Sequence, residues 1–399
     1  MWFKWLPWRF LIRQVAEAHD FLDPIALQSR LHRFAQPSEV TEPIELLRAG
    51  VLFHARGLIN TRAIQHNLDW VWPFWVERQF NPLDDAFIPR AFSVTHVNLT
   101  HRNWTAVGLP DFDAFPIVDP RGLVTPFLDG WSLDFWIVSK TGKKLIPSKL
   151  TTISQKLTFD TGLAVETHAS CEGLSLNSRV DVCQSEDGPF CRISLRADAD
   201  TEAVLAVTLR PYNPEGVSFI HEAALSQNRS FWLVDDDRQV LFSIPVDHAR
   251  FSNYRRGDIL GGLIENAEEI DMQCGVGMVT AAALFDITPG LTKTLEVKVL
   301  LEEEKESRHS HPAASENSGK AAWDQALTTH CALNIPDEKI QFLYDAALRS
   351  MILHAPEDVD PGPYTYKRCW FRDAAFILHA MSCAGLIDRA ERVLDRFPS

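Results

Sequence analysis

Between residues 149 and 301 the sequence repeats one pattern, in which short apolar stretches with alternating or β-branched residues are separated by turn-forming residues. Because successive side chains of a strand point to opposite faces of a sheet, this pattern predicts strands rather than helices. The stretches at 185–189, 212–216 and 235–237 are rich in Asp, Glu, Gly and Pro and predict turns. Many short strands joined in this way predict a large antiparallel β-sandwich. The predicted strands are residues 153–159, 163–169, 173–183, 190–197, 203–210, 230–235, 239–244, 276–286 and 292–301.

The part of the chain before this region is less regular. Residues 15–35 carry apolar residues at roughly helical spacing and predict a short helical region. Further on, apolar stretches broken by Pro, Gly, Asn and Asp predict strands, for example at 71–76 and 92–99. The predicted organisation therefore begins with a helical and aromatic segment at 1–35, followed by a β-sandwich domain at 36–302.

Helical periodicity begins only after a polar segment. The segment at 303–324 opens with charged and small polar residues that cannot offset the entropy of ordering by apolar burial, which predicts a linker. In the last region, 325–399, residues 337–354 predict an amphipathic helix, and a second helix is predicted over 373–384, ending at Gly385. A third helix follows. The predicted apolar face of the first helix consists of Ile340, Leu343, Tyr344, Ala347, Leu348, Met351 and Ile352.

Composition and motifs exclude several function classes. A net charge of −14 disfavours non-specific nucleic-acid binding and suits an enzyme that acts on a neutral polymer. The seven cysteines are scattered and form no C-x-x-C pair, so we predict neither a disulfide framework nor a zinc site, and we expect a reduced, cytoplasmic protein. No nucleotide-binding glycine motif and no G-x-S-x-G motif occurs.

The first thirteen residues are aromatic and basic. Lys4, Arg9 and Arg13 interrupt their apolar run, so no integral membrane segment is expected. Interfacial attachment to a membrane is one alternative for such a segment. Packing of its aromatic residues on their own domain is the interpretation that we favour.

The most distinctive motif lies near the C-terminus. A Pro/Gly-rich approach leads to Trp-Phe-Arg-Asp-Ala-Ala at residues 370–375, and an Ala-rich helical run follows. Asp373 lies at the expected start of the helix, where a carboxylate caps backbone N–H groups and meets the positive end of the dipole. A carboxylate and a guanidinium can bind sugar hydroxyls, while an aromatic face packs on the C–H side of the ring. The alternative is that Asp373 merely caps the helix and pairs with Arg372.

This motif resembles the Trp-X-Arg-Asp-(Ala/Thr) signature of the six-hairpin glycosidases, which include glucoamylase-like, trehalase-like and glycogen-debranching-like enzymes. The resemblance implies an (α/α)6 toroid, of which the predicted helices would be the first part, preceded by an N-terminal β-sandwich. It also implies that Trp370, Arg372 and Asp373 bind the sugar in the −1 subsite. Tyr366 approaches the same helix end and is a candidate for lining the pocket, as are Tyr364 and Lys367. Loop packing is the alternative for these three residues.

The resemblance further implies that the whole protein hydrolyses an α-glucan or a related oligosaccharide without a cofactor. Glycoside hydrolysis usually needs two carboxyl groups that flank the bond. In the six-hairpin enzymes these groups come from later hairpins, so we assign no catalytic residue in this sequence and expect it to be the N-terminal portion of a longer enzyme. The alternative function is a non-catalytic β-sandwich protein that binds a glycan or a partner protein.

Other candidates are weaker. Two tryptophans and Asp134 at 130–136 suit a sugar platform, but burial in the core is the favoured interpretation. The segment at 210–216 is interpreted as a turn. His309-Ser-His311 and the acidic run at 235–237 lack the further ligands that a metal site needs. In the helix after the motif, we expect a packed position for Phe371, Phe376, Ile377, His379 and Met381.

Overall fold

The structure is a computed structural model, and it describes residues 57–87, 104–186, 188–264, 267–301, 317–363, 367 and 369–396. The chain divides into two compact units, residues 1–58 and 59–399, and the following concerns the second. The predictions for the N-terminal segment 1–35, for the strand at 92–99 and for Tyr364, Tyr366, His309 and His311 lie outside the described residues. Among the described helices, none has the length and apolar character needed to cross a membrane.

The described residues form many short strands, as the turn-punctuated sequence predicts. All nine strands predicted between residues 149 and 301 are present, and the acidic turn at 235–237 joins two of them with Asp235 and Asp236 at positive φ. In chain order the strands are β1 Thr105–Ala106, β2 Ile117–Val118, β3 Val124–Thr125, β4 Ser132–Ser139, β5 Lys144–Leu145, β6 Ser154–Thr158, β7 Ala164–Cys171, β8 Leu174–Ser185, β9 Gly188–Ala199, β10 Ala203–Arg210, β11 Tyr212–Asn213, β12 Gly216–Val217, β13 Glu222–Leu225, β14 Phe231–Val234, β15 Arg238–Phe242, β16 His248–Asn253, β17 Asp271–Gln273, β18 Val279–Ile287, β19 Lys293–Leu300 and β20 Asn317–Ser318.

These strands build two antiparallel sheets and a small ribbon. The eight-stranded sheet has the order β1-β2-β3-β4-β10-β18-β16, with β5 beside β4. The ten-stranded sheet has the order β17-β13-β14-β15-β19-β9-β8-β7-β6, with β20 beside β8. The β11–β12 pair forms the ribbon. The longest ladder, between β8 and β9, runs from the pair Leu174–Ala199 to the pair Ser185–Gly188.

The main core lies between the two sheets. On β4, Leu133, Phe135 and Ile137 point into one apolar cluster with residues of the ten-stranded sheet, such as Ile193 and Val297. The outer face of the ten-stranded sheet carries polar side chains, so buried and more exposed residues alternate along strands such as β9 and β19. The structure thus confirms an antiparallel sandwich.

The eight-stranded sheet is also covered on its second face, where a smaller cluster lies. Trp136 and Val138 of β4 pack there against Val71, Ile146 and Ile259. Every residue of β4 and of β10 is consequently buried. Burial on both faces explains why these two strands have nearly continuous apolar sequences.

The prediction of a strand at 71–76 is wrong. Helix α1, Phe74–Phe80, begins within this stretch, directly after Pro73. Proline is tolerated at a helix start because its missing N–H group would have no helical partner there. The Trp72 N–H group donates to Glu77 Oε1 at 3.1 Å, and Trp75 and Val76 are buried. A short apolar run suits a buried helix as well as a strand, so periodicity alone does not separate the two.

Helices follow the sandwich, as predicted: α2 Lys320–Ala326, α3 Glu338–Leu353, α4 Phe371–Cys383 and α5 Ile387–Leu394. Asp337 caps α3 by accepting hydrogen bonds from the N–H groups of Lys339 and Ile340. Gly385, at φ +82°, follows α4 in a conformation that glycine adopts without strain. The predicted apolar face of α3 is only half buried, since Leu348 and Ile352 are in the core whereas Ile340 and Leu343 are exposed.

The last part of the predicted linker has defined structure. Of the predicted segment 303–324, residues 303–316 lie outside the described ones, while β20 and α2 occupy most of the rest. Trp323 of α2 is buried, and its Nε1 donates to the Gly108 carbonyl at 3.0 Å. The helices therefore belong to the same compact unit as the sandwich. The twelve-helix toroid, of which they were predicted to be the first part, stays a prediction.

Candidate functional site

The motif at 370–375 forms the first turn of α4. Trp370 occupies the N-cap position with extended backbone, so Arg372 and Asp373 are the second and third residues of the helix. The predicted start at Asp373 is thus two residues late, and the side chain at the N-cap position forms no capping hydrogen bond. The Asp373 carboxylate still lies in the first turn, where the helix dipole favours negative charge.

Arg372 and Asp373 form an open ion pair. The distance from Arg372 Nη2 to Asp373 Oδ2 is 3.7 Å, and the two side chains are 83% and 35% exposed. A pair in this setting contributes little to stability, because water screens it and both side chains lose freedom when they meet. Both groups therefore keep hydrogen-bonding capacity for a ligand.

Two aromatic residues of α4 are also exposed. Phe371 is 78% and Phe376 70% exposed, so the expectation that both lie in the core is wrong. The buried stripe of the helix is Ala374, Leu378 and Met381, and Phe376 lies about 200° around the axis from Ala374 at 3.6 residues per turn. Met381 is buried as expected.

The remaining residues of the motif region are less accessible or differ from expectation. Trp370 is half-buried. His379, expected to be packed, is exposed, with its Nε2 3.8 Å from Cys383 Sγ.

Lys367 packs between the approach to α4 and the loop that joins β1 to β2. Its Nζ donates to the Asp113 carbonyl at 2.8 Å and to Asp113 Oδ1 at 2.6 Å, and lies 3.8 Å from Asp360 Oδ2. The ammonium group also lies 4.8 Å from the Phe115 ring centre. For Lys367, the alternative of loop packing is therefore the one that the structure supports.

His354 and Asp360 complete this polar cluster, although no sequence motif predicts a functional role for either residue. His354 ends α3 and meets the Phe115 ring edge-on at 5.0 Å. Burial, with a smaller contribution from the Lys367 charge, lowers the pKa of His354 to about 4, so the imidazole is neutral near pH 7. Burial raises the pKa of Asp360, and Lys367 opposes that shift. Asp360 contacts Lys367 and His354 directly, whereas Asp113 and Phe115 of the β1–β2 loop join the cluster only through the fold.

The weaker candidates have structural roles in the described residues. Trp131 and Trp136 are buried, and Asp134 accepts a hydrogen bond from Trp136 Nε1 at 2.8 Å. Arg210 is fully buried and pairs with Asp258, while its guanidinium carbon lies 5.1 Å from the centre of the Trp136 ring. Among the described residues there is no group of three or more metal-ligating side chains.

Comparison with known proteins gives matches to solved structures alone. No family model and no curated protein sequence matches the chain. A bacterial glucoamylase complexed with acarbose shares 11% identity over 74% of this chain and 50% of its own, with a TM-score of 0.49. A putative kojibiose phosphorylase from the human microbiome shares 10% sequence identity, and the match covers 68% of this chain and 43% of the phosphorylase, with a TM-score of 0.39. A family GH92 alpha-mannosidase from Bacteroides thetaiotaomicron shares 11% sequence identity, and the match covers 63% of this chain and 38% of the mannosidase, with a TM-score of 0.29.

This chain therefore spans half or less of the length of these structures. At such identities the likeness is one of backbone arrangement over part of each molecule. The resemblance to six-hairpin glycosidases rests on the motif at 370–375.

Proposed function

We propose that this chain is the N-terminal portion of a glycoside hydrolase of the six-hairpin type, which acts on an α-glucan or a related oligosaccharide. The observation that carries the proposal is the first turn of α4, where the signature at 370–375 leaves Arg372 and Asp373 accessible. In this proposal Trp370, Arg372 and Asp373 bind the sugar, and Tyr366 lines the same pocket.

The chemistry of the three groups suits a sugar ring. The Asp373 carboxylate accepts hydrogen bonds from two neighbouring hydroxyls, and the Arg372 guanidinium donates in a planar fork. The dipole of α4 favours the ionised carboxylate. The aromatic ring of Trp370 offers an apolar surface to the C–H face of the sugar. A bound sugar excludes water from the ion pair, which strengthens the charge-assisted hydrogen bonds relative to the open state.

Hydrolysis itself needs more than this site. Two carboxyl groups must flank the bond, one as general acid and the other as base or nucleophile. We propose that Asp373 positions the sugar and that other parts of the whole enzyme supply both proton-transferring groups. The chemistry requires no cofactor.

Sugar binding separates the functional from the purely structural role of Asp373. Asp388 is a matched control, because it is an exposed carboxylate in the first turn of α5. Isothermal titration calorimetry with maltoheptaose would compare the chain with D373N, R372A and D388N. Loss of a hydrogen bond to a charged group costs about 1.5–3 kcal/mol, so we expect D373N and R372A to weaken binding roughly tenfold to hundredfold. We expect D388N to bind like the unaltered chain.

Equal binding by D373N and D388N would leave Asp373 with only its role at the helix end. Activity tests the larger claim. The polypeptide encoded by the complete reading frame should release glucose or short oligosaccharides from an α-glucan, and D373N should lower kcat/KM by a similar factor. If that polypeptide binds a glycan without hydrolysing it, the alternative of a non-catalytic glycan-binding protein is the correct one.

A further inference from the structure

The outer face of the ten-stranded sheet contains an open groove of about 730 Å³. No residue of the motif at 370–375 lines this groove, and the groove has no part in the proposed function. The ladder register places one row of polar side chains across five neighbouring strands, β6, β7, β8, β9 and β19. Because neighbouring strands are about 4.8 Å apart, such a row is roughly 19 Å long. The row consists of Ser154, His168, Asn177, Arg196 and Thr294.

Arg196 is the fourth of the five residues in this row and is exposed. Within the described part of the chain, no residue forms a hydrogen bond or an ion pair with its side chain. Its direct neighbours across the sheet are the neutral Asn177 and Thr294. His168 Nδ1 meets the Asn177 side-chain oxygen at 2.8 Å, so the amide nitrogen of Asn177 remains a donor beside the guanidinium. A guanidinium flanked by an amide N–H and a hydroxyl is a set of donors for an oxyanion.

The carboxylates of the groove are already paired with cations. Glu166 forms ion pairs with Lys156, at 2.7 Å, and with Arg179. Glu296 pairs with Lys298 at 3.3 Å. These carboxylates therefore do not neutralise Arg196, which, unlike Lys156 and Arg179, has no carboxylate partner among the described residues.

The local charge of the groove is opposite to that of the protein. Its lining holds three cationic side chains and two carboxylates, an excess of one positive charge on a chain of net charge −14. None of the described residues that line the groove is Phe, Tyr or Trp. Hydrogen bonds and charge, rather than ring stacking, must therefore hold a ligand. Hydroxyl and amide groups along the row suit a ligand with many hydroxyls.

We propose that this groove binds an acidic oligosaccharide, with its carboxylate or phosphate group on Arg196 and its hydroxyls along the row. The shared chemistry is an oxyanion on a sugar chain, from a uronate or from a phosphate ester. Arg196 is the specificity-determining residue, because it is the point at which an acidic sugar differs from a neutral one. This binding site is independent of the site at α4.

Isothermal titration calorimetry with four probes tests the proposal: trigalacturonate, glucose 6-phosphate, inorganic phosphate and the neutral maltotriose. The variants are R196A, R196K and the control R255A, which removes an exposed arginine from the turn after β16. We expect at least one of the two acidic sugars to bind, R196A to weaken that binding at least tenfold, and R255A to leave it unchanged. R196K should retain part of the affinity, since lysine keeps the charge but not the planar fork.

The pattern among probes identifies the source of the oxyanion. Binding of trigalacturonate alone assigns a uronate, and binding of glucose 6-phosphate alone assigns a phosphate ester. Three results would overturn the proposal: neither acidic sugar binds, R255A weakens binding as much as R196A, or inorganic phosphate binds as tightly as the acidic sugars. Thermal unfolding of R196A, expected to match that of the unaltered chain because Arg196 is exposed, shows that loss of binding is not loss of fold.

Discussion

Asp111 accepts hydrogen bonds from both terminal nitrogens of Arg389, at 2.6 Å and 3.0 Å, and so joins the β1–β2 loop of the sandwich to helix α5. Arg392 adds a third contact to the same carboxylate at 2.5 Å. A bidentate pair holds two surfaces in one orientation, which a single contact does not. This contact sets how the α4–α5 hairpin lies on the sandwich.

Loss of the Asp111 charge should destabilise the protein in a pH-dependent way. Burial raises the pKa of Asp111, but the hydrogen bonds and charges of Arg389 and Arg392 outweigh it and hold that pKa below its ordinary value. The stabilisation is therefore full above the unfolded-state pKa of about 3.9 and is lost as the pH falls through the folded-state pKa. D111N tolerates the positive φ of this position and should lower the free energy of unfolding by about 1 kcal/mol at pH 7.

Urea unfolding at pH 7 and at pH 3 measures this effect. The difference between the unaltered chain and D111N should shrink at the lower pH. D358N is the control, since Asp358 pairs with Arg396 at 3.4 Å on an exposed surface, and its effect should be smaller at both pH values. An equal effect of D111N at pH 7 and pH 3 would contradict the electrostatic explanation.

Asp119 should give the opposite pH dependence. Burial raises the pKa of this carboxyl to about 7, although its Oδ1 accepts hydrogen bonds from the N–H groups of Arg121, at 2.7 Å, and Leu123, at 3.0 Å. The negative charge of Asp134 contributes to the same direction. A carboxyl with a raised folded-state pKa stabilises fully below about pH 3.9, and this contribution is lost as the pH rises towards 7.

D119N removes the titration and keeps an oxygen that can accept the same hydrogen bonds. We expect the free energy of unfolding of the unaltered chain, relative to D119N, to fall by about 2–4 kcal/mol between pH 4 and pH 8. Urea unfolding at several pH values across that range measures how the difference in unfolding free energy between the two proteins changes with pH. The change with pH is the quantity to compare, because the new amide group adds a contribution of its own that does not depend on pH. If the difference in unfolding free energy between the two proteins does not change with pH, burial does not raise the pKa of Asp119 and the prediction is wrong.

The glycine at position 162 should be required for the contact between the sandwich and α2. A Cβ added to Gly162 would come within 2.4 Å of Trp323 Cδ1, whereas a Cβ on Gly142 would meet no atom within 4 Å. Both glycines have positive φ, +113° and +93°, so both alanine variants suffer backbone strain. Only G162A also overpacks a buried tryptophan, at a further cost of about 1–3 kcal/mol. Denaturant unfolding of the two variants tests this, and equal destabilisation would contradict it.

The buried pair of Arg210 and Asp258 should be sensitive to loss of one partner. The Arg210 guanidinium also donates to the Val71 carbonyl at 2.9 Å, and Asp258 accepts from the Val71 N–H group at 3.0 Å. R210M would leave the carboxylate buried without its cation, and we expect destabilisation by about 3–5 kcal/mol. K140M removes the cation of the exposed pair with Glu202 and should leave unfolding unchanged. A small effect of R210M would contradict this prediction.

The sequence predicted the strands well because their signals are local. Turn residues such as Asp235 and Asp236 and the alternation along residues 190–197 depend on near neighbours alone. Burial of Trp131 and Trp136 was also predictable from their apolar surroundings. The stretch at 71–76 was misjudged, because an apolar run after a Pro suits a helix start equally well.

What the sequence did not reveal depends on contacts between distant residues. Lys367 and Asp113 are 254 positions apart, and Arg389 and Asp111 are 278 apart. The row around Arg196 exists only because four ladders have one specific register, and a shift by one residue would turn its side chains into the core. At the candidate site, the motif identified Arg372 and Asp373, but their exposure depends on which face of α4 packs.

The double burial of β4 and β10 has a consequence for how the molecule opens in solution. Strand β10 pairs with β4 on one edge and with β18 on the other, and β4 pairs with β10 along its length and with β3 and β5 over part of its other edge. Both strands are covered on both faces, so solvent reaches their amides mainly through large-scale unfolding. Deuterium should therefore label them last, long after the edge strands β6 and β17. We therefore expect the centre of the eight-stranded sheet to be the most persistent cooperative unit among the described residues.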